Sequence, residues 1–261
     1  MSSNSPTTSI TTIFREASQE ARSLVSRLVS QANGESMDWV DDLRQLQFGF
    51  LNKSAQKDSR ECQAGCSGCC LSAQVDVTGI EAIAVSDYLQ MCVDAATLAQ
   101  IKSRLQRVTQ RRIDQMRGLA RQLPLACSML AEDGRCSIYP VRPIVCSGVF
   151  SVSRNACHDA VQTAQVGDFS SSIPVDNDAL QATGGISGSL QRILVEHDLD
   201  GNLYEFNSAV LATIDEKNAL SRFMAGEDLF RHAICTDAHS PPRKPAIRKP
   251  NFLKRQTARR A

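Results

Sequence analysis

The sequence predicts a mainly α fold, a helical domain with an irregular, cysteine-rich metal-binding insert. Three observations carry that expectation. Apolar residues recur at helical period over much of the chain. Aromatics make up only 5% of a composition that is 42% hydrophobic, which suits Leu, Ile, Val and Ala packing on helices better than a β-sandwich. Eight of the ten cysteines fall into two dense groups, far more than gap-filling in a core requires.

The elements follow in order. Ile10, Ile13, Phe14, Ala17, Ala21, Leu24, Val25, Leu28 and Val29 share one helical face, and Asn33-Gly34 is expected to end that helix. A second helix is expected after Ser36 as N-cap, with Trp39, Leu43, Leu46 and Phe50 on one side, so that 1–57 reads as an α-hairpin. Residues 58–160 form the cysteine-bearing unit. Within it Val75-Asp-Val is short and extended, and Thr78-Gly-Ile-Glu81 has the form of a capping box opening a helix through Ile83, Ala84, Tyr88 and Leu89. Cys92, near the end of that helix, reads as a core thiol.

A long helix is expected from Ala95 to Leu123, stopped by Pro124. Its second face carries Lys102, Arg104, Arg107, Arg111, Arg112, Arg117 and Arg121, read as solvated rather than as a phosphate-binding surface. From Leu125 to Asp159 periodicity disappears, and a polar connector is expected to about Asp178. Helical patterns resume within 161–239, around Leu190 to Leu199 and Phe206 to Ile214, with Leu220 to Met224 and Leu229 to Ile234 closing the globular part, packing on the cysteine-bearing unit. Residues 240–261 have the Pro-rich basic composition of a disordered tail.

Charge is uneven. The net value of +1 combines 29 basic and 28 acidic residues, but eight of the basic ones lie from Ser240 onward, where there is no acid. The body is therefore acidic, at about −7, and the tail basic. No apolar run is long enough to cross a membrane, and the N-terminus has no signal-like core, so the expected location is the cytoplasm. Thiols stay reduced there, and clustered cysteines read as metal ligands rather than disulfides.

The first group is Cys62, Cys66, Cys69 and Cys70, within nine residues; the second is Cys127, Cys136, Cys146 and Cys157. Spacings of three and two residues let a turn aim several sulfurs at one point, as a tetrahedral thiolate site requires. Gly65 and Gly68 sit where such a turn needs positive φ or close backbone approach. Adjacent Cys69 and Cys70 are expected to diverge, one completing the first site while the other belongs to a second site or bridges; eight thiols make either two four-sulfur sites or one site with spare residues. Arg135, Arg142 and Tyr139 are placed to answer the negative charge of bound thiolates. A nearly helix-free segment has little apolar burial to order it, and a metal would supply the missing stabilisation.

The pattern Cys62-x3-Cys66-x2-Cys69-Cys70, then Cys127-x8-Cys136-Ser-Ile-Tyr139-x2-Arg142-Pro143-x2-Cys146 and Cys157, resembles the YkgJ-type cysteine-cluster family. The resemblance covers about residues 60 to 160. It implies zinc or iron chelation, with Cys62, Cys66, Cys69, Cys70, Cys127, Cys136, Cys146 and Cys157 as ligands. The first spacing departs from the family's usual two residues.

The leading expectation is a metal-binding protein that chelates zinc or an iron–sulfur cluster through eight cysteines, in a structural or redox-responsive role. Two other classes compete. Cys-x3-Cys-x2-Cys is also the spacing of the radical S-adenosylmethionine cluster, and flagellin lysine methylases carry a similar domain; against this, Gly68 stands where an aromatic is usual, and strand–helix alternation is missing. Nucleic acid could be met weakly through the basic tail, though the acidic body lacks interleaved aromatics. His158 adjoins Cys157 and is a substitute ligand. His197, His232 and His239 read as surface or helix-end residues, and Cys235 as lying outside the site. No nucleophile–His–acid arrangement is present to support hydrolysis.

Overall fold

The computed structural model describes residues 7–31, 36–63, 65–72 and 74–236. Ten α-helices and one two-stranded sheet form among them, so the chain is mainly α. The expected helix end at Asn33-Gly34, His239 and the basic tail lie outside the described residues.

Helix α1 (Thr7–Gln31) buries the stripe Ala17, Ala21 and Val25. Helix α2 (Ser36–Lys53) buries Trp39, Val40, Leu43 and Phe50. These two helices touch, as a hairpin should, but α1 packs chiefly along α8 (Asn177–Glu196). Ser18 Oγ donates to the Gly185 carbonyl at 3.2 Å, and Ser189 Oγ donates to the Ser18 carbonyl at 2.9 Å. Small residues on both faces permit that approach.

Strands β1 (Asp76–Thr78) and β2 (Leu203–Glu205) pair antiparallel, with Val77 against Tyr204. Each runs directly into a helix, α4 (Gly79–Cys92) and α9 (Phe206–Thr213). The Thr78–Glu81 capping box forms as expected at the start of α4, and Glu205 caps α9 by accepting the Ser208 amide at 2.8 Å. Hydroxyls of Ser86 and Thr213 meet at 2.7 Å between the two helices. Phe230 stacks on Tyr204 and meets Phe223 of α10 (Ala219–Met224) edge-on.

Helix α5 (Ala95–Met116) starts at the Asp94 N-cap and ends seven residues before the expected Leu123. Its stop is a Schellman turn: Gly118, at φ +69°, donates to the Gln115 carbonyl, and the Leu119 amide donates to Asp114. The left-handed glycine, not Pro124, terminates the helix. The basic face is solvated only in part: Arg107, Arg111, Arg117 and Arg121 are exposed, Lys102 pairs with Asp215, and half-buried Arg104 donates to the Leu130 carbonyl at 3.2 Å.

The cysteine-bearing segment is less irregular than its sequence suggests. Helix α6 (Ile144–Gly148) carries Cys146, and α7 (Arg154–Gln165) carries Cys157. Ser153 caps α7 through the Ala156 amide, but Ala164 is its only buried residue, so no apolar period announces it. Helix α8 likewise begins at the Asp176 N-cap, well before Leu190. Met129, Ile138, Val141 and Ile144 belong to the same buried cluster as Ala17, Leu43 and Phe223. The expectation that this segment lacks apolar anchorage is thus corrected.

The alternation of strands and helices that a radical-enzyme barrel needs is missing among the described residues. No helix there is long and apolar enough to cross a membrane.

Candidate metal centre

The first cysteines are delivered by a pinned strand of chain. Arg60 donates from Nε to Asp176 Oδ2 and from Nη2 to the Leu51 carbonyl, both at 2.8 Å, with its guanidinium 4.4 Å from the Phe150 ring centroid. The Glu61 amide then donates to the Ser151 carbonyl at 3.0 Å. One residue on, the Ser151 amide donates to Cys62 Sγ at 3.3 Å, a bond that favours a thiolate. Gly65 adopts φ +83° and the Cys66 amide closes a turn onto Gln63. Gly68 is not left-handed; it opens α3 (Gly68–Ser72) and lies against the Cys157 side chain.

The second group is laced to the first. The Cys127 amide donates to the Cys70 carbonyl at 2.7 Å. Leu130 and Cys136 form an antiparallel bridge, which folds 127–137 into a small hairpin and brings Cys136 back beside Cys127. Ser128 Oγ donates to Asn207 Oδ1 at 2.7 Å, and Asn207 donates in turn to Glu205 at 2.6 Å, tying this hairpin to the cap of α9. Cys146 is set by two buried polar side chains. Glu81 Oε1 accepts the Ile144 amide at 3.0 Å, and Gln47 joins the Ile144 carbonyl, Thr183 and Ser147.

The thiols interact as two neighbourhoods. Cys69, Cys70, Cys127, Cys136 and Cys146 act on one another electrostatically. Cys62 feels Cys66, Cys157 and Cys69. Interaction between the neighbouring Cys69 and Cys70 side chains holds the Cys69 pKa down and raises that of Cys70. Burial pushes Cys127 up to about 11 despite the Met129 amide. It also raises Cys136, against the Ile138 amide and then Arg142, and Cys146, where like charges add to it. Without a cation, most of these sulfurs are neutral thiols. None of the ten cysteines is in a disulfide.

Of the charged candidates, Arg142 acts on Cys69, Cys136 and Cys146, and its guanidinium lies 4.0 Å from the Tyr139 ring centroid. Tyr139 itself is 58% exposed. Arg135 is turned away, beside Asp133, with an exposed side chain. His158 faces solvent between Gln162 and Asp159. His197 caps the end of α8 and His232 is exposed. Cys92 is exposed at the end of α4, because that helix buries nothing beyond Leu89; the expected core thiol is not one. Cys235 bridges to Tyr204 through the backbone, beside β2. Sequence reasoning missed Glu81's second role, Gln47 and Arg44, whose Nη1 donates to the Pro140 carbonyl. Only the helix position of Arg44 and Gln47 was legible; nothing local pointed across to residues 140–147.

Among the described residues, no three His, Cys, Asp or Glu side chains converge closely enough to hold a metal ion as they stand. The chemistry of the donor set nevertheless fits a thiophilic ion: clustered sulfurs, amides of Met129, Ile138 and Ser151 donating to them, and one nearby guanidinium.

Fold and site together define a mainly helical protein that carries a cysteine-rich segment. Residues 61–165 match the family model CxxCxxCC, described as a putative zinc- or iron-chelating domain, and this is the cysteine-cluster family that the motif resembles. No curated protein and no solved structure matches the chain.

Proposed function

We propose that this protein chelates zinc or an iron–sulfur cluster through Cys62, Cys66, Cys69, Cys70, Cys127, Cys136, Cys146 and Cys157, in a structural or redox-responsive role. The observation that carries the reading is that Cys69, Cys70, Cys127, Cys136 and Cys146, from α3, the 127–137 hairpin and α6, lie near enough to influence one another's charge, with Arg142 acting on Cys69, Cys136 and Cys146. Thiols held near one another gain little by themselves, whereas a cation would deprotonate them and cross-link the segments. When bound, zinc would supply a fixed cross-link, and a cluster would supply an electron-accepting centre. Cys69, Cys70, Cys127, Cys136 and Cys146 form the inner donor set; Cys62 and Cys66, from the loop before α3, and Cys157, from α7, complete the supply. Arg142 and Tyr139 cover one side.

Anaerobic purification, followed by metal and acid-labile sulfide analysis and a visible spectrum, tests this reading. Colourless protein with zinc means a structural site, and brown protein with sulfide means a cluster. Material with neither ends the proposal. C136S and C146S should lose metal, while C92S should retain it.

A further inference from the structure

The turn bearing Tyr139 and Arg142 is gripped from outside the cysteine-bearing segment. Arg44, on α2, donates to the Pro140 carbonyl. Pro140 lies between Tyr139 and Arg142, so the two guanidiniums flank one turn of 3-10 helix (Tyr139–Val141). Each has an Nε that is buried without an acceptor. Burial, and then the like charge of Arg142, lower the Arg44 pKa; Asp41 and Tyr139 oppose this. Two half-buried cations at one turn are unfavourable unless negative charge faces each of them. Asp41 serves Arg44. On the Arg142 side the facing groups are the thiols of Cys69, Cys136 and Cys146.

We propose that Arg44 is a positioning residue for the metal centre, holding Arg142 on the sulfur side of the Tyr139–Val141 turn by like-charge repulsion and by its grip on Pro140. The inference rests on the functional reading above and extends the site beyond residues 61–165, onto α2. Four thiolates around a divalent ion carry a charge of −2, so a guanidinium fixed on that side stabilises the loaded state more than the empty one. Arg44 touches no sulfur; it acts through Arg142.

The test is a double-mutant cycle on the full chain, reduced and loaded with zinc, with affinity read by chelator competition. R142Q is expected to weaken zinc binding about tenfold, the lower end for a residue that supports metal ligands. R44Q should produce a loss approaching that of R142Q in the wild-type background and almost no further loss in the R142Q background. R44K, which keeps the charge and one donor, should bind like wild type. Equal losses from R44Q in both backgrounds would mean an independent structural effect and overturn the proposal, as would an unchanged R44Q. If R44Q does not fold, R44K decides: a loss as large as that of R142Q overturns the inference. Wild-type protein that takes up no zinc and no iron sinks the functional reading itself; zinc-binding wild type with an indifferent Arg44 sinks only this one.

Discussion

Glu81 and Ile144 are joined by a buried hydrogen bond in which the Ile144 amide donates to Glu81 Oε1 at 3.0 Å. The other carboxylate oxygen accepts the amide and hydroxyl of Thr78. One side chain therefore closes the first turn of α4 and sets the start of α6, which carries Cys146. Replacing Glu81 by Ala would leave three buried donors without their acceptor. Glu81→Ala is expected to destabilise the fold by about 3 kcal/mol, measured by urea unfolding. Glu81→Gln should be nearly as harmful, because its amide NH2 must face a donor. Wild-type stability in both variants would remove Glu81 from this role.

Asp176 should make the fold acid-sensitive. Its carboxylate is fully buried, which by itself raises the pKa, but the Ala179 amide, Ser54 and Arg60 outweigh burial and bring it below the usual value. With the folded pKa under the unfolded one, the stabilisation is present above about pH 3.9 and is lost as pH falls through the folded value. Asp176→Asn should be less stable at neutral pH by about 3 kcal/mol, the lower end for breaking a buried pair. Its melting temperature should fall less than that of wild type between pH 5 and pH 2.5. Parallel acid limbs for the two proteins would contradict this account.

Gly148 cannot carry a side chain. A Cβ there would come within 1.9 Å of Thr183 Oγ1 and 2.2 Å of Gln47 Nε2, the two groups that hold α6 against α2 and α8. Gly148→Ala should cost about 2 kcal/mol in chemical denaturation, the middle of the range for overpacking. It should also weaken metal retention, since Cys146 lies on the same short helix. A Gly148→Ala protein with unaltered stability would show that α6 can shift.

Metal removal should act locally. Helix α3 buries none of its residues, whereas 129–144 is anchored by Met129, Ile138, Val141 and Ile144. Chelation is therefore expected to open 61–72 to hydrogen exchange and proteolysis while α1, α4 and α8 stay protected. A structural zinc is worth about 10–16 kcal/mol in isolated peptides, but here part of the ordering is already supplied by apolar burial. Global unfolding on chelation, or no change at 61–72, would each refute the expectation.

The helices whose apolar residues recur in register were readable from the chain itself: the stripe through Ala17, Ala21 and Val25, the face bearing Trp39 and Leu43, and the Thr78–Glu81 cap. So was the resemblance carried by the cysteine grouping, since residues 61–165 match the model of that family. These are local signals, because helical period, capping and ligand spacing act over a few residues. Helix α7 escaped notice because it buries so little, and α5 ended early because a left-handed Gly118 outranked a later proline.

By itself, then, the amino-acid order determined a mainly helical protein with a thiol cluster chemically suited to zinc or iron. Only the tertiary structure decided which helix lies along which, that β1 pairs with β2, that Asp176 receives Arg60, and that Arg44 reaches the turn before Arg142. The physical reason is range. Period and capping are settled among neighbours in the chain, whereas a buried carboxylate or guanidinium takes whichever partner the packed core brings to it, and that partner leaves no mark on the residues nearby.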